Sequence, residues 1–177
     1  MQSQCQVVLA IVSVEIAMRR TTLVATVSLY AAMYVVITYS FSPISYGQVQ
    51  LRLANVMLGL IPLIGWPAVI GQAVGVFVAN LGSPLGPIDL LNAVPSFIFS
   101  FIIWKLRNVS VILGLVLYSV GLGLSVSFAL NYAFGLPLIV NIPWVTAGNL
   151  IAAALAYLLY KAVKRTGLLQ RYYGAAK

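Results

Sequence analysis

The fold class this sequence predicts is all-α: a polytopic membrane protein built as a six-transmembrane-helix bundle with both termini cytoplasmic. Three observations predict it. Of 177 residues, 62% are hydrophobic and only 7% charged, whereas a soluble domain carries ~25% charged residues. The apolar residues gather into runs approaching the ~20 residues that cross a ~30 Å hydrocarbon core. Ten Lys and Arg stand against two carboxylates, Glu15 and Asp89, and the cations cluster at the ends of the runs, as membrane proteins place them to fix orientation. That clustering also argues against a nucleic-acid surface, which needs a continuous basic patch.

The first span is expected from about Thr22 to Tyr39. Pro43, Ser45 and Gly47 mark a loop after it. A second span, from about Val49 to Ile64, contains Arg52 and Asn55, and Gly65-Trp66-Pro67 ends it in a tight turn. The third, Ala68 to Leu81, is short and rich in small residues. Gly82 to Pro87 reads as a loop, and the fourth span, from about Ile88 to Trp104, carries Pro95 as an expected kink. The fifth and sixth run from about Val109 to Leu130 and from about Ile142 to Tyr160.

Orientation follows from the cations. With Arg19 and Arg20 in the cytoplasm, Lys105 and Arg107 return there after four crossings, and the Lys161 to Lys177 segment after six. Every Lys/Arg cluster then lies on one side, and an odd number of crossings would split them. The loops around residues 42–47, 82–87 and 133–140 are expected outside. Three stretches result: residues 1–17, an extension upstream of a natural start at Met18 or a short peripheral helix; residues 18–165, the membrane domain; and residues 166–177, a basic cytoplasmic tail.

Small residues recur at helical contact spacing: Ser28 and Ala32 in the first span, Gly71, Gly75 and Ala79 in the third, Gly148, Ala152 and Ala156 in the sixth. Such stripes allow close helix approach, either within the bundle or against a partner. Polar residues inside lipid are costly and carry more information. Gln48, Arg52 and Asn55 fall at i, i+4 and i+7, one face of an α-helix. Asp89, Asn92 and Ser96 form a similar stripe; Asn149 lies in the sixth span, and Asn80 and Asn131 lie near outer ends. In the orientation above nearly all of these groups fall in the outer half, where a pocket open to the outside is expected. Arg52 and Asp89 are read either as pocket groups or as a mutual ion pair, and the amides either as ligand contacts or as interhelical hydrogen bonds. Tyr46 and Trp144 are stacking partners or interfacial belt residues, and Trp66 is belt. Amides suit a flat heterocycle with mixed donor and acceptor edges.

Catalysis lacks parts. Histidine is absent, Cys5 is the single cysteine, and Glu15 and Asp89 are the only carboxylates, so triads, paired carboxylates and metal sites are incomplete. No cofactor is expected. No phosphate-binding G-x-x-x-x-G-K-[ST] loop occurs either, so any uphill transport needs ATP hydrolysed by another subunit or an ion gradient.

The stretch Phe41-Ser-Pro-Ile-Ser-Tyr-Gly-Gln-Val-Gln-Leu-Arg52 resembles the signature of the QueT family, an I-S-[FY]-G turn leading into Q-x-R. Ala79-Asn80-Leu81 and Ser83-Pro84-Leu85-Gly86 followed by Asp89 are similar to it as well, and Gly135-Leu136-Pro137 and Gly148-Asn149-Leu150-Ile151 match more loosely. The resemblance spans about Met18 to Arg165. It implies the S component of an energy-coupling factor (ECF) transporter in the cell membrane. Its cargo would be a queuosine precursor, a 7-deazaguanine-like base, and its partners a transmembrane T component and two ATPase subunits. Arg52, Asn55, Asp89 and Asn149 are the first candidates for the pocket, with Tyr46, Gln48 and Asn80 next; Ser28 and Ala32 would meet the T component. Asn55 and Asn149 stand where the family pattern usually has glutamate. A carboxylate is the natural acceptor for the adjacent N–H groups of a guanine-like edge, so this chain's cargo is expected to be a neutral or differently substituted base. A membrane scaffold or assembly subunit, with amides serving only helix packing, is the alternative from a different class.

Overall fold

The structure is a computed structural model that describes residues 2–46, 51–84 and 86–166, with side chains described from residue 20 onward. Among these residues all regular structure is helical. Helix α1 (Gln2–Ser40) is followed by a single turn, α2 (Ser42–Ser45). A 3₁₀ helix (Leu53–Leu60) runs into α3 (Ile61–Ile64). Then come α4 (Trp66–Asn80), α5 (Pro87–Leu90), α6 (Ala93–Leu106), α7 (Val111–Phe134) and α8 (Leu138–Thr166). Neighbours close into a ring in the order α1, α4, α6, α7, α8, 3₁₀ helix and back to α1.

Each expected apolar run is helical, but their lengths differ from the six-span expectation. Among the described residues, four stretches are long and apolar enough to cross a membrane: Arg20–Ser40, Pro87–Leu106, Val111–Phe134 and Leu138–Thr166. The second and third runs form the shorter Leu53–Ile64 and Trp66–Asn80. At 1.5 Å per residue α4 reaches roughly 22 Å, less than the hydrocarbon thickness. The α1 backbone is helical from Gln2 onward.

Two expected helices are reshaped by proline and by tight packing. The fourth run was expected to kink at Pro95; the break instead lies one turn earlier, at Leu91–Asn92, between α5 and α6. A proline ring clashes with the carbonyl four residues back, which here belongs to Leu91. The second run begins only at Leu53 and is 3₁₀ rather than α. Its slimmer backbone lies against α8 so closely that a side chain at Gly59 would strike the Ala156 carbonyl. Gly59→Ala is therefore expected to cost about 1–3 kcal/mol through overpacking, read as a drop of several degrees in the Tm of the detergent-solubilised protein; an unchanged Tm would contradict this packing.

The small-residue stripes resolve into two kinds. Gly71 and Gly75 meet the rings of Tyr30 and Tyr34 at the α1–α4 crossing, and Gly148, Ala152 and Ala156 are buried on α8. Ser28 and Ala32 are exposed on α1, alongside Leu29, Met33 and Val36.

The distribution of polarity is that of a chain solvated by lipid. Leu29, Val36, Phe77, Phe128, Ile151 and Leu158 are exposed, while Gln72, Asn80, Asp89, Asn92, Ser96 and Asn149 are buried. Among the described residues, the exposed basic side chains of the later helices gather at one end. Arg107, Lys161, Lys164 and Arg165 line a single groove, and Lys105 lies over Trp104 beside them. Trp66 packs with Phe97, Phe101 and Trp104 at that same end, as an interfacial belt residue would. Arg52 is the exception, buried toward the opposite end with Asp89.

Candidate functional site

The site is assembled from the ends of the elements opposite the basic groove. After α1 the chain turns through α2, which Pro43 opens in its first turn. Tyr46 then lies at the mouth of the bundle, and its hydroxyl donates to the Ala79 carbonyl at 2.6 Å. Partial burial pushes the Tyr46 hydroxyl up to about 12, against the opposing pull of Arg52, so it keeps its proton for that bond at neutral pH. Arg52 caps the 3₁₀ helix in an extended conformation, and its guanidinium sits 5.7 Å from the Tyr46 ring centre.

Arg52 and Asp89 form a buried ion pair. The Arg52 Nη2 donates to Asp89 Oδ2 at 3.0 Å, with side-chain exposures of 6% and 0%. A charge this far from water needs both a counter-charge and hydrogen bonds. The second carboxylate oxygen accepts from Asn92 Nδ2 at 2.6 Å, and Ser125 Oγ donates to Asn92 Oδ1 at 2.5 Å. Asn80 Nδ2 donates to the Asp89 backbone carbonyl at 2.7 Å. Asp89 and Asn92 are three residues apart, the spacing at which side chains on one helical turn meet.

A second network lies deeper. Asn55 Nδ2 donates to Asn149 Oδ1 at 3.1 Å, and Asn149 Nδ2 donates to the Val145 carbonyl at 3.1 Å. Tyr34 OH donates to Asn55 Oδ1 at 3.0 Å. Gln72 Nε2 reaches the Tyr118 hydroxyl at 3.2 Å, while Tyr30 OH lies 3.2 Å from Gln72 Oε1. Ser96 and Tyr118 share a hydrogen bond at 3.0 Å. All six elements of the ring, α1, α4, α6, α7, α8 and the 3₁₀ helix, contribute a polar group.

Between the two networks is a small hollow lined by Tyr34, Arg52, Asn55, Val76, Tyr118 and Asn149, with Leu122 and Val126 closing its apolar side. Its volume is about 10 Å³, room for about one water. The Arg52 Nε and Asn80 Oδ1 are buried without a protein partner, which leaves hydrogen-bonding capacity at this end of the bundle.

Of the sequence-predicted residues, Arg52, Asn55 and Asn149 line the hollow together. Asp89 pairs with Arg52, Asn80 ties the Asp89 backbone, and the Tyr46 ring lies beside the Arg52 guanidinium. Gln48 lies outside the described residues. Of the other two members of that face, Arg52 precedes the helix, and Asn55 N bonds back to its carbonyl at 2.9 Å in a 3₁₀ turn. Positions i and i+3 eclipse in such a turn, so the two still point the same way. Trp144 is 59% exposed and takes no part. Asn131 instead donates to the Leu136 carbonyl at 2.7 Å, closing the turn where Gly135 adopts φ 66°.

Sequence reasoning missed Tyr34, Gln72 and Tyr118. Tyr30 and Tyr34 stand one turn apart on α1 and are both buried, a spacing visible in the sequence. Gln72 is the amide inside the third run and was equally visible as a costly intramembrane polar group.

With this geometry in place, the comparisons add one finding. The family model described as QueT transporter matches residues 24–165. No curated protein and no solved structure matches the chain.

Proposed function

This chain belongs to the QueT transporter family, and we propose that it serves there as the substrate-binding (S) subunit of an ECF-type uptake transporter, capturing a small heterocycle from outside the cell. The observation that carries this reading is the meeting of Arg52, Asn55 and Asn149 around one hollow, with two tyrosine hydroxyls beside them. The Asn55–Asn149 bond is an amide–amide contact. A base whose edge carries a carbonyl next to an N–H replaces it donor for donor and acceptor for acceptor, at little net cost in unsatisfied groups. Arg52 Nε is free to donate to a ring carbonyl. Val76, Leu122 and Val126 offer apolar contact to the ring faces.

A bicyclic base is far larger than the described hollow, so entry requires its cover to move. Tyr46 stands over Arg52, and its phenol bond to Ala79 helps to hold it in place. That bond is worth about 1 kcal/mol, small against the binding energy of a well-matched base.

Energy comes from partners. Ser28 and Ala32 present a narrow strip of exposed α1 surface on which a helix of a T component can approach closely, and two ATPase subunits complete the transporter. Purification from native membranes under mild detergent tests this: the chain should bring down a membrane subunit and an ATPase pair. Ser28→Trp with Ala32→Trp should reduce their recovery at least tenfold while leaving the monomer's Tm unchanged. Recovery of the chain alone, or complete indifference to the two tryptophans, would refute the assignment.

A further inference from the structure

A second hollow, of about 660 Å³, lies at the opposite end of the bundle between the start of α7 and the end of α8. Arg107 reaches it from one side, and Lys161, Lys164 and Arg165 from the other. No carboxylate is among its lining residues, so these four cations repel one another without an internal counter-charge. The first turn of α7 also opens here. Ser110 caps it by accepting from Leu113 N at 3.2 Å, while Val111 and Ile112 line the groove. First-turn N–H groups lack intrahelical acceptors and carry the positive end of the helix dipole.

The cationic groups are held rather than loose. Lys161 lies 5.0 Å from the centre of the Tyr157 ring and Lys164 5.4 Å from that of Tyr160, whose hydroxyl it also meets at 3.2 Å. Arg107 lies 4.8 Å from the centre of a Trp104 ring and donates to the Trp104 carbonyl at 3.3 Å. Tyr and Trp at this level mark the headgroup zone. Beside the cations the surface turns apolar: Val109 is 79% exposed, Ile112 50% and Leu158 61%.

We propose that this groove is a binding site for the phosphate headgroup of an anionic membrane phospholipid, taken by Arg107, Lys161, Lys164, Arg165 and the α7 N-terminus, with the acyl chains lying along Val109 and Ile112. A free phosphate satisfies the cations but not the flanking apolar strip, which is why the lipid is the occupant. The site is independent of the substrate hollow and of the transport reading.

The test uses the full-length protein in bilayer discs containing equal parts phosphatidylglycerol and phosphatidylcholine with identical chains, with retained lipid counted by native mass spectrometry. The wild type should retain phosphatidylglycerol preferentially. Lys161→Gln, Lys164→Gln and Arg165→Gln should each lower that retention roughly fivefold, the worth of one cation near a membrane surface. Arg165→Lys should keep it, and Lys105→Gln, a cation at the same end but outside the groove, should leave it unchanged. Millimolar inorganic phosphate should not displace the lipid. Equal retention of both lipids, an equal loss in Lys105→Gln, or displacement by inorganic phosphate would overturn the proposal. Tm measured on each variant separates loss of the site from loss of the fold, and the charge-conserving Arg165→Lys decides the matter if the glutamine variants unfold.

Discussion

Asp89→Ala should destabilise the bundle by about 3–5 kcal/mol, because it strands a buried guanidinium without its counter-charge. Asp89 is fully buried, accepts from Arg52 and Asn92, and has its backbone tied to Asn80. Removing the carboxylate therefore strands two donors, Arg52 Nη2 and Asn92 Nδ2, of which the Arg52 charge is by far the more costly, while Asn80 keeps its backbone acceptor. The double variant Arg52→Met, Asp89→Leu should recover most of the loss, since a buried ion pair replaced by apolar side chains of similar volume is often neutral or stabilising. Unfolding by denaturant in detergent, followed by tryptophan fluorescence, measures both. A cost below about 1 kcal/mol for the single change, the size expected of an exposed pair, would mean the pair is open to water. The double variant also separates roles: it should fold yet fail to bind the base, because Arg52 lines the hollow and Asp89 only positions it.

Asn149→Ala should weaken base binding roughly 10–100-fold, the loss expected when a ligand group is left facing a site that no longer completes its hydrogen bonds. The same change removes the acceptor of Asn55 Nδ2, so the remaining amide also binds less well. Asn131→Ala is the matched control. Asn131 is an amide near the same end, but it closes the turn after α7 rather than facing the hollow, and its replacement should alter stability without altering affinity. Asn149→Glu carries the argument to specificity. It restores an acceptor-only group next to Asn55, and should shift preference toward bases that present two adjacent N–H donors. Titration calorimetry across a panel of deazaguanines reads all three; equal affinity in wild type and Asn149→Ala would remove Asn149 from the site.

How much of this was legible beforehand depends on the kind of signal. The loops were, because Gly65, Gly86 and Gly135 sit at φ 87°, 69° and 66°, where only glycine is comfortable. The Arg52–Asp89 pair was foreseen as one of two readings, since opposite charges in an apolar chain have few places to go but to each other. The membrane class followed from composition alone. The 3₁₀ geometry of residues 53–60 was not legible: Arg52 and Asn55 suit a helical face in either helix type, and the cause is tertiary, the close approach of Gly59 to α8. The early break before Pro95 was foreseen as a kink but misplaced by one turn, because the ring acts on the carbonyl behind it. Tyr34 and Tyr118 escaped notice because a tyrosine in an apolar run reads as hydrophobic bulk or interfacial belt. Only the packing shows their hydroxyls turned inward, to Asn55 and to Gln72.

The central claim is that the carboxamides of Asn55 and Asn149, with Arg52, hold one small heterocycle at the outer end of the bundle. Native mass spectrometry of the protein purified from its own membranes addresses it most directly. The account predicts a single added mass matching a nitrogen heterocycle, at one per chain, that disappears in Asn149→Ala and persists in Asn131→Ala. A bound heterocycle retained undiminished in Asn149→Ala would contradict it.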